Sequence, residues 1–455
     1  MTSRVEILMT AFLLAASAAC ARSTDILDFG ARGDGTTDNT AAIQKAIDEC
    51  SVSGGGRVLV PGGGVYKTYT LNLKNNVDLH IERGATLKGG EDPLKYPVFE
   101  TNGVWNAERS PRFNRRAMFY TVGQTNVAIT GSGTIDGNAE KFHHEEQRDN
   151  WTGYRWFRNS DTNITGRCVF FVGCRDVRLD DVLILHPAGW GTWFLDCDRV
   201  GVRGVRLEAD RRFPNGDGLH FGGCRDVVVS DCIIHSQDDA LIIRTHQEQM
   251  KKPSPCERVA VNNCILNSYG NYAIRIGCGD GPVRDVSFNN IVSTHSCFGV
   301  GFTVPRSPNG EDMDPPRGRG LVPPPPETLL PFSAENIRFS NMTIFGSLSP
   351  FDISIGDDQR VDCIKDVSFS HCRFTSPNPP RTRVHERNNV RDWRFSDVTF
   401  EFGGKPLSPQ DVFKDVANAE FFNVKCVNTT CSENSQAEGL KTHFPPQNNK
   451  KGQMK

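Results

Sequence analysis

The stretch Cys174-Arg-Asp-Val-Arg-Leu-Asp-Asp-Val-Leu-Ile184 returns as C-D-R-V-G-V-R-G-V-R-L from Cys197, C-R-D-V-V-V-S-D-C-I-I from Cys224 and C-E-R-V-A-V-N-N-C-I-L from Cys256. With the cysteine replaced, the same register continues as V-R-D-V-S-F-N-N-I around Val286, E-N-I-R-F-S-N-M-T-I around Ile337 and I-K-D-V-S-F-S-H-C-R-F around Val367. The marker valines Val177, Val200 and Val227 are 23 and 27 residues apart, and Val259 to Val286 is again 27. Strand-rich units of this length cannot bury their apolar face alone; stacked on one another they share one continuous core. Inside a unit, Val227, Val229, Cys232 and Ile234 follow the period-2 alternation of strands. The sequence therefore predicts an all-β, single-domain right-handed parallel β-helix.

Working outward, 455 residues with 43 Gly and 26 Pro could form two or three domains, but the unbroken repeat argues for one elongated body over residues 22–431. A net charge of -2 gives no bulk attraction to nucleic acid. No apolar run reaches the ~18 residues of a membrane span. Residues 1–21 read as an export signal, apolar from Ile7 to Ala19 with small residues around Ser17–Ala21, which predicts a secreted or periplasmic monomer. Cys20 offers a lipoprotein alternative, although Ser17 stands three positions before it.

Residues 38–50, with Ile43, Ala46, Ile47 and Cys50 at helical spacing, predict a short helix that closes the open N-terminal end of the solenoid. Cys174, Cys197, Cys224 and Cys256 share one register position, which predicts a buried stack of thiols rather than disulfides. Cys426 and Cys431 lie outside that register and form the candidate bonded pair. No metal-ligand spacing is present and no cofactor is implied. The Pro/Gly-rich segment 305–331 reads as a long loop inserted beside the repeat, and the polar residues 432–455 as a disordered tail.

Chemistry concentrates in two neighbouring units. Asp217 lies in P-N-G-D-G, and Asp238 with Asp239 in S-Q-D-D-A. Parallel strands stack about 4.8 Å apart, so residues one coil apart become neighbours. Asp217 and Asp238, 21 residues apart, are predicted to meet. Carboxylates brought together raise at least one pKa, and a carboxylic acid that stays protonated near neutrality can protonate a glycosidic oxygen while ionised neighbours deprotonate water. Asp is also a turn former, the plainer reading of any one of the three. Asn215 and Gln237 beside them are candidate hydrogen-bond partners or sugar contacts.

These motifs, together with G-T-I-D-G at Gly133–Gly137 and the N-terminal segment, resemble glycoside hydrolase family 28, the polygalacturonases and rhamnogalacturonases, over residues 25 to 400. The resemblance implies a right-handed parallel β-helix, a pectic substrate, and inverting hydrolysis with Asp238 as general acid and Asp217 and Asp239 serving the water. It also exposes departures. Where the family carries G-H-G this chain has N-Y-A-I-R-I-G, placing Tyr272 at the histidine; where the family carries R-I-K it has Gly301 and Thr303. Either Arg275 grips a uronate from a different place, or the sugar is neutral or differently linked.

Trp151, Tyr154 and Trp156 form an aromatic loop suited to sugar faces. Of Trp190 and Trp193, one is expected inside the coil and one toward substrate; His220, close to Asp217, is a further candidate contact. Two other readings stay open: a calcium-dependent lyase or epimerase, and a carbohydrate-binding β-helix without catalysis.

Overall fold

The corners of the repeat explain which residues it tolerates. Among the residues described by the computed structural model, 23–97, 116–149, 155–159, 166–245, 247, 250, 253–277, 279, 281–304, 330–355, 361–384 and 390–428, successive units wind as a right-handed parallel β-helix. At one corner Asp176, Arg199, Asp226, Arg258, Asp285, Asn336, Asp366 and Asp392 share one register and all adopt left-handed backbone, with φ between 51° and 61°. At the next corner Asp181, Gly204, Asp231, Asn263, Asn290, Asn341, His371 and Asp397 do the same. Left-handed backbone penalises most side chains and least of all Gly, Asn and Asp. The asparagines also bond along the stack: Asn263 Nδ2 donates to Asp231 Oδ1 at 3.3 Å and Asn290 Nδ2 to Asn263 Oδ1 at 2.9 Å. The D-D, S-D and N-N pairs of the repeat are thus corner residues.

Between corners, nine strands form one wall in chain order, all parallel: β1 (Ala117–Val122), β2 (Arg167–Val172), β3 (Thr192–Leu195), β4 (Leu219–Gly222), β5 (Leu241–Arg244), β6 (Tyr272–Gly277), β7 (Ser296–Thr303), β8 (Ser347–Ile355) and β9 (Arg381–Val384). A second sheet of 21 strands, from Ser23–Asp25 to Lys425–Asn428, makes the remaining walls. A two-stranded antiparallel ribbon, His143–Asp149 with Arg155–Asn159, stands outside the coil.

Inward side chains form columns. Phe288, Phe339, Phe369, Phe395 and Phe421 stack in series with ring centres 5.0, 4.5, 5.2 and 5.3 Å apart. The cysteine column is present as expected. Cys174, Cys197, Cys224 and Cys256 are buried thiols in one register, and each directs its S–H at a carbonyl of the preceding rung, for example Cys224 to Phe194 O at 3.2 Å. Cys426 is a half-buried free thiol; Cys431 lies outside the described residues.

Helix α1 (Thr40–Val52) buries Ile43, Ala46, Ile47 and Cys50 against the first rungs. Asn39 is its N-cap, without a side-chain cap bond, and Asp38 Oδ1 accepts Thr40 N at 3.0 Å. No helix among the described residues is long and apolar enough to cross a membrane. The export segment 1–21, most of the 305–331 segment and the tail from 432 lie outside the described residues.

Because Phe369 is stacked between Phe339 and Phe395 in the column, Phe369→Ala should cost about 3–5 kcal/mol. Urea unfolding followed by circular dichroism measures it; a loss below about 1 kcal/mol would contradict a column that acts as the core.

Candidate active site

The outward face of the nine-stranded wall carries the chemistry. Its register pairs Leu219 with Leu241 and Leu241 with Ile274. Extended two residues back, it sets Asp217 beside Asp239 and Asp239 beside Tyr272. The register partner of Asp217 is therefore Asp239 rather than Asp238, a correction to the 21-residue pairing expected from the sequence. Backbone bonds fix it: Gly218 N donates to Asp239 O at 2.8 Å, and Ala240 N to Tyr272 O at 2.9 Å. Gly218 is required for this approach, since a Cβ there would stand 2.2 Å from Ala240 O.

All three carboxylates still converge, with one oxygen of each within 4.8 Å of the others. Asp217 and Asp239 are buried, whereas Asp238 keeps partial exposure. Asp217 Oδ2 lies 3.0 Å from His220 Nε2, and its Oδ1 is buried without a hydrogen-bond partner among the described residues. His220 Nδ1 faces Arg244 Nη2 at 3.3 Å. Arginine can only donate, so Nδ1 accepts and the imidazole is neutral with its proton on Nε2, donated to Asp217. Asp238 Oδ1 accepts from Asn271 Nδ2 at 2.8 Å and from Asp239 N at 2.9 Å. Asp239 accepts from Tyr272 N at 3.1 Å and from Arg275 Nη1 at 2.9 Å.

Burial, then the charges of Asp238 and Asp239, push the Asp217 carboxyl well above the usual carboxylate range. Burial and the charge of Asp239 push Asp238 up to about 6, against the Asn271 hydrogen bond and Arg275. These are the conditions for a carboxylic acid that holds its proton near neutral pH.

Gln237 is buried and bonds the Asp217 turn: its N donates to Gly216 O at 2.8 Å, and its Oε1 accepts Gly216 N at 3.3 Å. Asn215 is exposed with φ 60°, the left-handed residue that shapes this turn, and among the described residues no hydrogen bond links it to the carboxylates. Trp193 is fully buried but not inside the coil, contrary to expectation; it lies on the outer face, stacked on Phe170 at 4.6 Å, with half-buried Trp190 against it at 5.1 Å. Trp151 and Tyr154 lie outside the described residues. Trp156 belongs to the antiparallel ribbon, paired with Arg148.

Tyr272 does not act as a stand-in for histidine at the carboxylates. Its hydroxyl donates to Asp352 Oδ2, and Arg381 grips the same carboxylate at 2.6 and 2.7 Å. Arg275 is likewise engaged, donating to Asp239 and, at 2.8 Å, to Thr303 Oγ1. Gly301 makes this possible, because the Tyr272 ring occupies its side-chain space and a Cβ would lie 2.4 Å from the ring. An arginine at 301 has no room while Tyr272 points this way. Arg167, Arg244, Asn271, Asp352 and Arg381 were not singled out from the sequence. Carrying the register of each outward strand from one rung to the next would have found Asn271, which stands one rung beyond Asp238.

A separate surface groove of about 900 Å³, lined by Arg57, Asp78, His80 and Arg178, lies on the other sheet and contains none of the three aspartates.

The family model for Glycosyl hydrolases family 28 matches residues 98–300, the span that holds all three aspartates. Over that stretch the chain resembles the family. A second model, Rhamnogalacturonase A/epimerase, pectate lyase-like, matches residues 23–172 and ends before the aspartates. Among curated proteins the chain is 27% identical to the exo-poly-alpha-D-galacturonosidase of Dickeya chrysanthemi, over 62% of this chain and 52% of that protein. It is 25% identical to a probable polygalacturonase of Vitis vinifera, over 62% and 56%. The chain thus spans about half the length of these relatives. Among solved structures, the exopolygalacturonase of Thermotoga maritima superposes with a TM-score of 0.67 at 23% identity, over 89% of this chain and 92% of that one, a likeness of fold.

Gly301→Ala should destabilise the wild type by about 1–3 kcal/mol through overpacking and cost clearly less in a Tyr272→Ala background. Equal costs in both backgrounds, read from thermal unfolding, would show that the tyrosine does not fill this space.

Proposed function

We propose that this protein hydrolyses glycosidic bonds in the backbone of a pectic polysaccharide, galacturonan or rhamnogalacturonan, with Asp238 as general acid, Asp239 deprotonating the attacking water and Asp217 helping to hold it. The observation that carries this reading is the gathering of three carboxylates on one outward face, of which the partly exposed one is held near a pKa of 6. Asp238, fixed by Asn271 and the Asp239 amide, is the partly exposed member and so the one that can meet a glycosidic oxygen. Asp239 is anchored by Arg275, and Asp217 is oriented by neutral His220. The names of the relatives, polygalacturonases and an exo-poly-alpha-D-galacturonosidase, support the substrate class. Export as a monomer agrees with a polymeric substrate outside the cell.

The nearest carboxylate oxygens, within 4.8 Å, sit closer than the ~6.5–9.5 Å carboxyl spacing usual for inverting enzymes. The inverting course therefore rests on the resemblance to family 28, and proton NMR of the first product checks it. The anomer opposite to that of the substrate bond should appear first; retention would overturn the assignment.

Asp238→Asn should lower kcat by about 10²–10⁴-fold, as loss of a general acid does, while oligosaccharide binding survives. A noncatalytic binding protein would show no turnover to lose. Since the acid must carry its proton and Asp238 titrates near 6, kcat should fall about tenfold per pH unit above that value. A pH-independent rate up to 8 would remove Asp238 from the role. A chelator should leave hydrolysis intact and no ultraviolet-absorbing unsaturated product should form; the opposite result favours a lyase.

A further inference from the structure

Past the catalytic rungs the outward wall carries a charged pair that the chemistry above does not use. Arg275, Gly301, Asp352 and Arg381 stand in register on successive strands, β6 to β9. Asp352 is fully buried, and Arg381 donates to both of its oxygens, at 2.6 and 2.7 Å. A buried ion pair adds little net stability over apolar side chains of the same volume. What it can supply is direction.

Tyr272 receives that direction. It starts on the rung of Arg275, its ring fills the side-chain space at Gly301, and its hydroxyl donates to Asp352 Oδ2 on the rung beyond. Any side chain at 301 would stand between the two. The tyrosine is 5% exposed and stacks on Phe298 with ring centres 4.9 Å apart. Burial above all keeps its hydroxyl well above the ordinary tyrosine range, with Arg275 acting against it, so the group stays protonated and donates.

The same ring carries Arg275, whose guanidinium carbon lies 4.9 Å from its centre. From there Nη1 donates to Asp239 Oδ2 at 2.9 Å and Nε to Thr303 Oγ1 at 2.8 Å. The Tyr272 amide donates to the other Asp239 oxygen at 3.1 Å. Both oxygens of Asp239 are thus held from β6, and the tyrosine of β6 ends on Asp352.

Resting on the hydrolase reading above, we propose that Asp352, locked by Arg381, is a positioning residue for the reaction. It pins the Tyr272 ring against Arg275, and so fixes the guanidinium and the amide that orient Asp239 toward the attacking water. Asp352 touches neither water nor sugar; it acts through Tyr272 and Arg275.

The test uses the full-length protein with Tyr272→Phe, which deletes only the hydroxyl, and Asp352→Asn, which removes the charge at nearly constant shape. Each should lower kcat on pectic oligomers about tenfold, as loss of a hydrogen bond to a charged group does, while KM stays within about twofold. In an Arg275→Gln background the same changes should alter kcat by no more than about twofold, because the effect runs through that arginine. Equal losses in both backgrounds, or a change in KM alone, would overturn the assignment. A readout free of turnover is nitrogen-15 NMR of the Arg275 guanidinium, identified by its disappearance in Arg275→Gln. Its Nη signals should be separate in the wild type and merge in both variants as the guanidinium turns freely; unchanged signals in folded variants contradict the positioning role. If Asp352→Asn fails to fold, as thermal unfolding would reveal, Tyr272→Phe decides by itself. Failure of the unmutated protein to cut any pectic oligomer would sink the hydrolase reading instead, and the NMR result would still show whether Asp352 fixes Arg275.

Discussion

Parallel strands hydrogen-bonded rung to rung allow one spacing only, about 4.8 Å, and every side chain in this molecule has its neighbour chosen by that spacing. Inside, it sets phenylalanine on phenylalanine and cysteine on cysteine, where like beside like is favourable packing. Outside, the same rule places Asp217 next to Asp239, where like beside like is costly. The fold offsets that cost locally. Arg275 faces Asp239, neutral His220 donates to Asp217, and Asn271 donates to Asp238. What remains uncompensated is a proton that the group holds near neutral pH.

The repeat, the parallel solenoid, the thiol column and the buried face of α1 could be read from the sequence, because each is a periodic pattern of apolar residues. The identity of the three aspartates was also legible, from their motifs. Their pairing was not. The corner segments before β4 and β5 differ in length, so a 21-residue separation suggested Asp238 as the partner of Asp217, and only the hydrogen bonds of Gly218 and Ala240 reveal the offset that selects Asp239. Asp352 and Arg381 escaped for another reason. They reach Tyr272 across a long inserted segment that destroys any simple spacing rule. The left-handed corners were visible as Asp and Asn pairs, yet nothing in sequence alone says that they stack into ladders.

The departures from the family motifs form one coherent change. A tyrosine at the family's histidine position needs room, and Gly301 supplies it; the tyrosine then needs an acceptor, and Asp352 supplies that, held in turn by Arg381. The result is a stretch of wall on which Arg275 faces Asp239 and Arg381 faces Asp352. The residues around Tyr272, rather than the aspartates themselves, are where this chain differs from the polygalacturonase motifs.

The central claim is that neighbouring rungs force these carboxylates to share a proton. Carbon-13 NMR of aspartate carboxyls, titrated with pH in the wild type and in Asp238→Asn, tests it most directly. The account predicts two carboxyls with midpoints above the ordinary aspartate range, one of them near 6, and a lower midpoint for the other once residue 238 is uncharged. If every aspartate titrates near its usual value of about 4, the rungs do not bring these groups together and the account fails.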